Sequence, residues 1–317
     1  MTPLYVVFFL IAFAALTEVF PLRLNQRIVF LIVLLGLLVI LAGCRYQAGA
    51  NDFEEYVKAY RDVVKHGLDY SKYTSSAAIF EPGFVLTYYL SSFICDSPVW
   101  GLTVIAFIAV GLNLLCYKQY LSRFFLFAVL FYYVHTYLLR DMSLIRSGVA
   151  AAIALYSLRY VYQRNLRRFI ITMIVAMSFH LASVIFLIVY PFYKVDWSPK
   201  TWLKIVIGCL VCSYVFSAGK LLMSLPTVGV LARVSNYSWM IGTSKLGVLT
   251  NPTALKQLFF VVVSLLFYRQ LSEKVRMFRV LLTPYILSVC WLMLWNDFAI
   301  VAGRMATFLS ITEVMIC

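Results

Sequence analysis

Long apolar runs recur along the whole chain and are separated by short polar segments. The clearest are Val29–Cys44, Trp100–Tyr117, Phe124–Leu139, Gly148–Tyr162 and Val280–Trp295. Each approaches the roughly 20 apolar residues that cross a bilayer, and in lipid a single run satisfies its backbone polar groups only as a helix. With 63% hydrophobic residues and a mean hydropathy of +0.90, the sequence predicts an all-α, polytopic protein with a single integral membrane domain over residues 1–317.

The basic residues are gathered in short segments between the apolar runs. The net charge of +14 does not indicate a nucleic-acid partner, because these residues alternate with apolar spans instead of forming one surface. They follow the positive-inside rule, which places short Lys/Arg-rich loops in the cytoplasm. The predicted cytoplasmic segments are residues 23–27, 118–123, 159–168 and 269–279.

Residues 45–98 are predicted to form a periplasmic loop. Its first part, residues 45–81, holds five Lys/Arg and six Asp/Glu. Phe53, Tyr56 and Tyr60 recur at helical spacing, which predicts an amphipathic helix on the outer membrane surface, with Asn51 as a possible cap. The run Phe84–Cys95 is only about half a bilayer long, so it is predicted to be a second interfacial helix.

The charge pattern leaves one topological choice open. Between the third and fourth basic segments, either the run 169–193 breaks near His180 into two half-helices or residues 220–232 contain a short crossing. The total is about ten spans in either case.

Arginine residues stand beside apolar runs on the side predicted to be external. Arg140 and Arg146 are six residues apart at the outer end of one span, which is under two helical turns. They could simply reach the headgroups, but the positive-inside rule gives external arginines no advantage, and such charges are functional candidates. The planar arginine fork suits phosphate oxygens. We therefore predict a site for a lipid-linked phosphate or pyrophosphate formed by Arg45, Arg140, Arg146, Arg233 and Arg304.

Candidates for proton transfer and for sugar contacts are few. A lone buried histidine such as His180 is more often a packing residue than a catalyst. Either Asp52 or Glu81 is predicted to activate an acceptor hydroxyl, with helix capping as the alternative for Asp52. Aromatic residues could stack on sugars, although each one more simply belongs to the interfacial aromatic belt; the candidates are Tyr56, Tyr237 and Trp239. The sequence contains no cluster with metal-ligand spacing and no nucleotide-binding loop, so neither a metal nor a cofactor is predicted.

An ordered set of motifs resembles the EpsG family of Wzy-type O-antigen and exopolysaccharide polymerases. The matching pieces are RYQAGANDFEEY at residues 45–56, EPGF at 81–84, IRSGVAAAIAL at 145–155, SFHLAS at 178–183 and GRMATFL at 303–309.

The resemblance implies a GT-C-like glycosyltransferase of the bacterial inner membrane with its active site facing the periplasm. It would transfer a glycan from one undecaprenyl pyrophosphate carrier to the sugar of a second lipid-linked repeat unit. The bilayer and both lipid-linked glycans are then the expected partners, and a chain-length regulator in the membrane is another.

Two other functions are consistent with an apolar chain of this kind. A membrane acyltransferase that modifies a glycan would use His180 as its base and would need an acid or amide paired with it. A transporter of lipid-linked oligosaccharides would show internal repeats and charges at the midplane, and neither is evident in the sequence.

Overall fold

The computed structural model describes residues 2–20, 24–45, 52–121, 124–224, 247 and 250–316, and these residues fold into helices without a strand. The predicted all-α class is confirmed for these ranges. The α-helices are α1 Thr2–Thr17, α2 Leu24–Gly43, α3 Phe53–His66, α4 Pro82–Ser92, α5 Pro98–Tyr120, α6 Phe125–Tyr132, α7 Ile145–Tyr162, α8 Leu166–Phe179, α9 Val189–Lys194, α10 Pro199–Val215, α11 Ala218–Met223, α12 Pro252–Leu266, α13 Tyr268–Lys274, α14 Phe278–Leu294, α15 Ala299–Leu309 and α16 Glu313–Ile316.

The apolar runs of the sequence account for the longest helices. The five clearest runs lie in α2, α5, α6 with its continuation, α7 and α14. The continuation of α6 is a π-helix over Tyr133–Asp141. The N–H of Met142 bonds to the carbonyl of Tyr137 five residues earlier, at 3.0 Å, which is the hydrogen-bond pattern of a π-helix.

Several helices have the length and composition needed to cross a membrane. Among the described residues, Pro98–Tyr120 and Ala299–Ile316 meet both requirements. A third candidate is α12 with α13, which are bent by 79° at the break between them. Shorter apolar helices accompany them at Pro3–Thr17, Ile28–Gly43, Leu181–Lys194 and Phe278–Leu294. These helices fit a polytopic membrane protein, while the count of about ten spans stays a prediction.

The amphipathic helix α3 forms at the predicted place, but protein and not lipid covers its apolar face. Phe53, Tyr56, Tyr60 and Val63 are buried in a segment that contacts α4 and α5. The hydroxyl of Tyr60 donates to the carbonyl of Cys95 at 3.1 Å. Periodicity indicates which face of a helix is buried, but it does not indicate which surface covers that face.

A break in the helical chain occurs at His180. Helix α8 ends at Phe179, and a 3₁₀-helix follows over Leu181–Ile188 before α9 begins. This matches the first of the two alternatives considered for residues 169–193. The N–H of His180 still bonds to the carbonyl of Ala176 at 3.1 Å, so the break releases the N–H of Leu181 from α-helical bonding.

The chain divides into two compact units. The first comprises residues 1–160 and 167–184, and the second comprises 161–166 and 185–317. In the first unit α2 packs on α5 and α1 packs on α6. In the second, α14 is the central helix and contacts α10, α12 and α15. The expectation of a single membrane domain stays a prediction.

Candidate functional site

Glu81 is placed by the local chemistry of the EPGF motif. A residue before proline is disfavoured in the α region, and Glu81 is extended with φ −69° and ψ 148°, while Pro82 opens α4. Gly83 allows a close approach to the end of α8, because a Cβ there would overlap Ser178 Oγ and lie 2.8 Å from the Ser178 carbonyl oxygen. Phe84 is fully buried and anchors the helix start.

The Glu81 carboxylate does not cap α4 but binds three groups from two distant parts of the chain. Its Oε2 accepts a hydrogen bond from Arg146 Nη1 at 2.7 Å. Its Oε1 contacts His180 Nδ1 at 3.1 Å and accepts the backbone N–H of Leu181, also at 3.1 Å. The helix break at His180 thus supplies two of the three contacts, and the carboxylate is only 14% exposed.

These contacts keep Glu81 ionised. Burial raises the pKa of the Glu81 carboxyl, but the hydrogen bond from His180, the charge of Arg146 and the N–H of Leu181 outweigh burial and lower the pKa to about 2. A general base works best when its pKa lies near the working pH. Glu81 is therefore better suited to holding Arg146 and His180 than to accepting a proton, which differs from the role assigned to it from the sequence.

The contact with Glu81 orients the imidazole of His180. A carboxylate is an acceptor only, so the favoured tautomer has the proton on Nδ1 and leaves Nε2 as the basic nitrogen. His180 is partly exposed, at 27%. The structure therefore pairs His180 with a carboxylate, and this pairing was not evident from the sequence.

Arg146 is held by an aromatic cluster as well as by Glu81. Its guanidinium carbon lies 4.1 Å from the centroid of the Phe80 ring, a cation–π distance. Phe80 in turn packs against Tyr56 and Phe84 with centroid distances of 5.7 and 5.5 Å. The ring of Tyr56 is 4% exposed, so its faces are covered and its hydroxyl, not its ring, is the group near Arg146.

Arg45 is a further cation of this unit and, unlike the partly exposed Arg146, it is buried. It is 3% exposed, and its Nη1 donates to the carbonyl oxygens of Ala42 and Asp141 at 3.0 and 3.3 Å. Burial raises the pKa of Tyr88, and the charges of Arg45 and Arg146 oppose this rise, so both guanidinium groups act electrostatically on the Tyr88 hydroxyl. We call Arg45, Arg146, Tyr56 and Tyr88 the arginine centre.

The arginine centre contains donors that are not used within the described part of the chain. Arg45 Nε and Nη2, Arg146 Nε and the hydroxyl of Tyr88 are buried and have no acceptor there. Burying a donor without an acceptor costs about 1–3 kcal/mol, and more for a charged group. A ligand that only accepts hydrogen bonds, such as a phosphate, would satisfy the guanidinium donors.

Arg140 and Arg146 do not lie on one continuous span. Arg140 is in the π-helix that ends at Asp141, whereas Arg146 follows a turn and is the second residue of α7. Arg140 is 6% exposed and Asp141 2%, and Tyr132 donates to Asp141 Oδ2 at 2.5 Å. The two arginines therefore lie on separate elements instead of one continuous helix, and their shared role in a phosphate site stays a prediction.

The remaining candidates are placed as follows. Asp52 is exposed at the start of α3, where it makes no side-chain capping bond. Arg304 is exposed on α15 in the second unit. Arg233, Tyr237 and Trp239 lie outside the described residues.

Phe80, Tyr88 and the pairing of Glu81 with His180 were not predicted from the sequence. Phe80 stands directly before EPGF, and an aromatic residue beside a candidate carboxylate was the available signal. Within the described ranges, no group of three or more His, Cys, Asp or Glu could hold a metal ion.

Comparisons with known proteins assign the chain to a family. The sequence pattern of the EpsG family matches residues 27–317. The amylovoran biosynthesis protein AmsC of Erwinia amylovora is 25% identical over 282 residues, which cover 87% of this chain and 74% of the relative. No solved structure matches the chain. Because the family match extends over most of the sequence, the chain belongs to the EpsG family.

Proposed function

We propose that this protein is a membrane glycosyltransferase that joins oligosaccharide repeat units carried on undecaprenyl pyrophosphate into a polysaccharide. The reaction would take place at the periplasmic face of the bacterial inner membrane. Membership of the EpsG family supports this proposal, as does the likeness to a relative whose name refers to amylovoran biosynthesis.

The observation that carries the proposal is the set of unused donors in the arginine centre. Arg45 and Arg146 present buried N–H groups that lack acceptors among the described residues, and the charges of both guanidinium groups act on the hydroxyls of Tyr56 and Tyr88. A pyrophosphate offers oxygens that only accept hydrogen bonds. Preorganised cations would stabilise the charge that develops as the pyrophosphate leaves.

The pair formed by Glu81 and His180 would activate the acceptor hydroxyl, while the arginine centre binds the leaving pyrophosphate. The acceptor hydroxyl oxygen would attack the anomeric carbon of the donor glycan, and the bond from that carbon to the pyrophosphate oxygen would break. His180 Nε2 would take the hydroxyl proton, while Glu81 holds the imidazole by Nδ1 at 3.1 Å. Asp52 is the alternative base. Burial raises the pKa of Tyr56, and the charge of Asp52 raises it further, so the Asp52 carboxylate acts electrostatically on the same hydroxyl as Arg146.

The proposed topology has about ten spans, with the basic segments in the cytoplasm and residues 45–98 in the periplasm. Its basis is the positive-inside rule. A periplasmic arginine centre would meet lipid-linked substrates at the outer leaflet without needing a soluble activated nucleotide.

The direct experiment supplies purified protein in detergent or liposomes with lipid-linked repeat units and follows the products on a gel. We expect a ladder of increasing chain length and release of undecaprenyl pyrophosphate. Intact repeat units after prolonged incubation with folded protein would contradict the proposal.

A membrane acyltransferase is the second candidate because the structure pairs His180 with an acid. The same carboxylate also binds Arg146, at 2.7 Å, and a cation at this position is better explained by a phosphate-bearing substrate. Incubation with an acyl donor and a glycan would distinguish the two: acylated glycan without polymer would favour the acyltransferase.

A further inference from the structure

A cavity lies within the second unit, between the first turns of α12 and the middle of α15. Its volume is about 200 Å³. The carbonyl of Gly247 accepts the N–H of Asn251 at 2.8 Å, and the N–H of Gly247 donates to Asn296 Oδ1 at 2.8 Å. The start of α12 and the residues before α15 therefore lie at the same end of the unit. In the proposed topology this is the end away from the cytoplasmic segment 269–279.

Polar side chains without formal charge line part of the cavity wall. They are two amides and three hydroxyls from Asn251, Thr253, Gln257, Thr307 and Ser310. Amide and hydroxyl groups both donate and accept hydrogen bonds. No Asp, Glu, Lys or Arg lines this cavity among the described residues. Most of the exposed wall is nevertheless apolar, so these groups offer a few hydrogen-bonding contacts to a neutral ligand and not a continuous polar surface.

Gln257 is fixed in place before any ligand arrives. It is 4% exposed, its Oε1 accepts from Ser288 at 3.3 Å, and its Nε2 donates to Glu313 Oε2 at 3.5 Å. Lys256 forms an ion pair with Glu313 at 2.5 Å, which neutralises that buried carboxylate. Such preorganisation reduces the entropy lost when a ligand binds.

The rest of the wall is small or apolar, from Ala254, Leu292, Gly303 and Ala306. A pyranose ring matches this combination, since its hydroxyl edge is polar and its C–H face is apolar. The volume is below the range of about 300–1,000 Å³ found for drug-sized ligands. The cavity therefore has room for one sugar ring and not for a whole repeat unit.

We propose that this cavity binds a single neutral sugar residue of a glycan substrate. Naming the glycan rests on the proposed function, whereas the binding of a neutral sugar ring rests on the cavity itself. The cavity is thus a specificity site that would prefer uncharged sugars over uronic acids.

Glycine at position 303 offers a way to fill the cavity without disturbing its walls. Gly303 lines the cavity, and a Cβ built on it meets no atom within 4 Å. Gly303→Met should therefore fold and occupy the space. Gly208, in α10 of the same unit, is exposed and also has nothing within 4 Å, so Gly208→Met is the matched control.

Saturation-transfer NMR on the purified full chain measures sugar binding directly. The probes are methyl glucoside, methyl galactoside and methyl N-acetylglucosaminide, with methyl glucuronide as the charged comparison. We expect transfer to at least one neutral glycoside in wild type and Gly208→Met, and its loss in Gly303→Met with an unchanged melting temperature. Trp291 packs beside Leu292 and Ala306, so its fluorescence should change with the same probe and should not change in Trp291→Phe.

Three outcomes would overturn the proposal: transfer to none of the neutral glycosides, equal transfer in Gly303→Met, or binding of farnesol in place of sugars. Binding does not depend on catalysis. Glycoside binding by a protein that makes no polymer would reject the proposed function and keep the sugar site. Polymer formation without glycoside binding would keep the proposed function and reject the sugar site.

Discussion

Replacing Gly83 by alanine tests whether the close approach of α4 to α8 holds Glu81 on His180. The new Cβ would overlap Ser178 Oγ and lie 2.8 Å from the Ser178 carbonyl oxygen. The hydroxyl can rotate away, but the carbonyl oxygen is part of the backbone and cannot. The contact must therefore lengthen by about 0.6 Å to reach the ordinary distance of 3.4 Å, and such overpacking costs roughly 1–3 kcal/mol.

The same displacement would weaken the pairing of Glu81 with His180. If the whole displacement were transmitted to the contact between His180 Nδ1 and Glu81 Oε1, now 3.1 Å long, that distance would become about 3.7 Å, which is too long for a hydrogen bond. Losing a hydrogen bond to a charged group costs about 1.5–3 kcal/mol. At 1.36 kcal/mol for each factor of ten, polymer formation should slow by roughly ten- to hundredfold.

The assay is the initial rate of polymer formation from lipid-linked repeat units, with the amount of membrane protein checked by immunoblot. Gly36→Ala is the matched control in the same unit, because a Cβ at Gly36 meets nothing within 4 Å. We expect the control to match wild type. A wild-type rate from Gly83→Ala would refute the reasoning that this approach positions the catalytic pair.

Three further perturbations follow from the structure, and a fourth from the predicted topology. The Glu81 carboxyl has a pKa of about 2 against an ordinary 4.5, so it contributes stability that is complete above pH 4.5 and is lost as the pH falls toward 2. The difference in melting temperature between wild type and Glu81→Gln should narrow over that window. A constant difference would contradict the ion pair. Gly148→Ala would place a Cβ 2.5 Å from Asp141 Oδ1 and should lower stability by roughly 1–3 kcal/mol, measured by thermal unfolding in detergent; an unchanged melting temperature would argue against that approach. Asp52→Asn should keep polymer formation, and its loss would transfer the role of base to Asp52. A cysteine at Lys58, with native cysteines removed, should react with an impermeant maleimide on whole cells. A cysteine that stays unlabelled would contradict the periplasmic position of residues 45–98.

The helices were predictable because each apolar run carries its own signal. A membrane-spanning helix satisfies its backbone within one segment, so its existence does not depend on distant residues. The face of α3 was predictable for the same reason, since Phe53, Tyr56 and Tyr60 recur at helical spacing. Its covering by α4 and α5 was not predictable, because periodicity gives no information about the partner.

The site was predictable only in part. Glu81, Arg146 and His180 were each chosen from the sequence, but their common contact joins segments up to 99 residues apart. The ionised state of Glu81 follows from that contact and could not be derived from its own neighbourhood. The role of Gly83 is likewise a property of packing, because a glycine needed for close approach looks the same in sequence as a glycine in a turn.

The most direct test of the central claim compares lysine with arginine in the arginine centre. The measurement is the polymerisation rate of Arg45→Lys and Arg146→Lys with lipid-linked repeat units, with Arg269→Lys as the control because that side chain is 93% exposed. Lysine keeps the charge but loses the planar fork, so each variant at the centre should lose roughly ten- to hundredfold in rate at unchanged protein level and melting temperature, while the control does not. Wild-type rates from both variants would contradict recognition of a pyrophosphate by these two arginines.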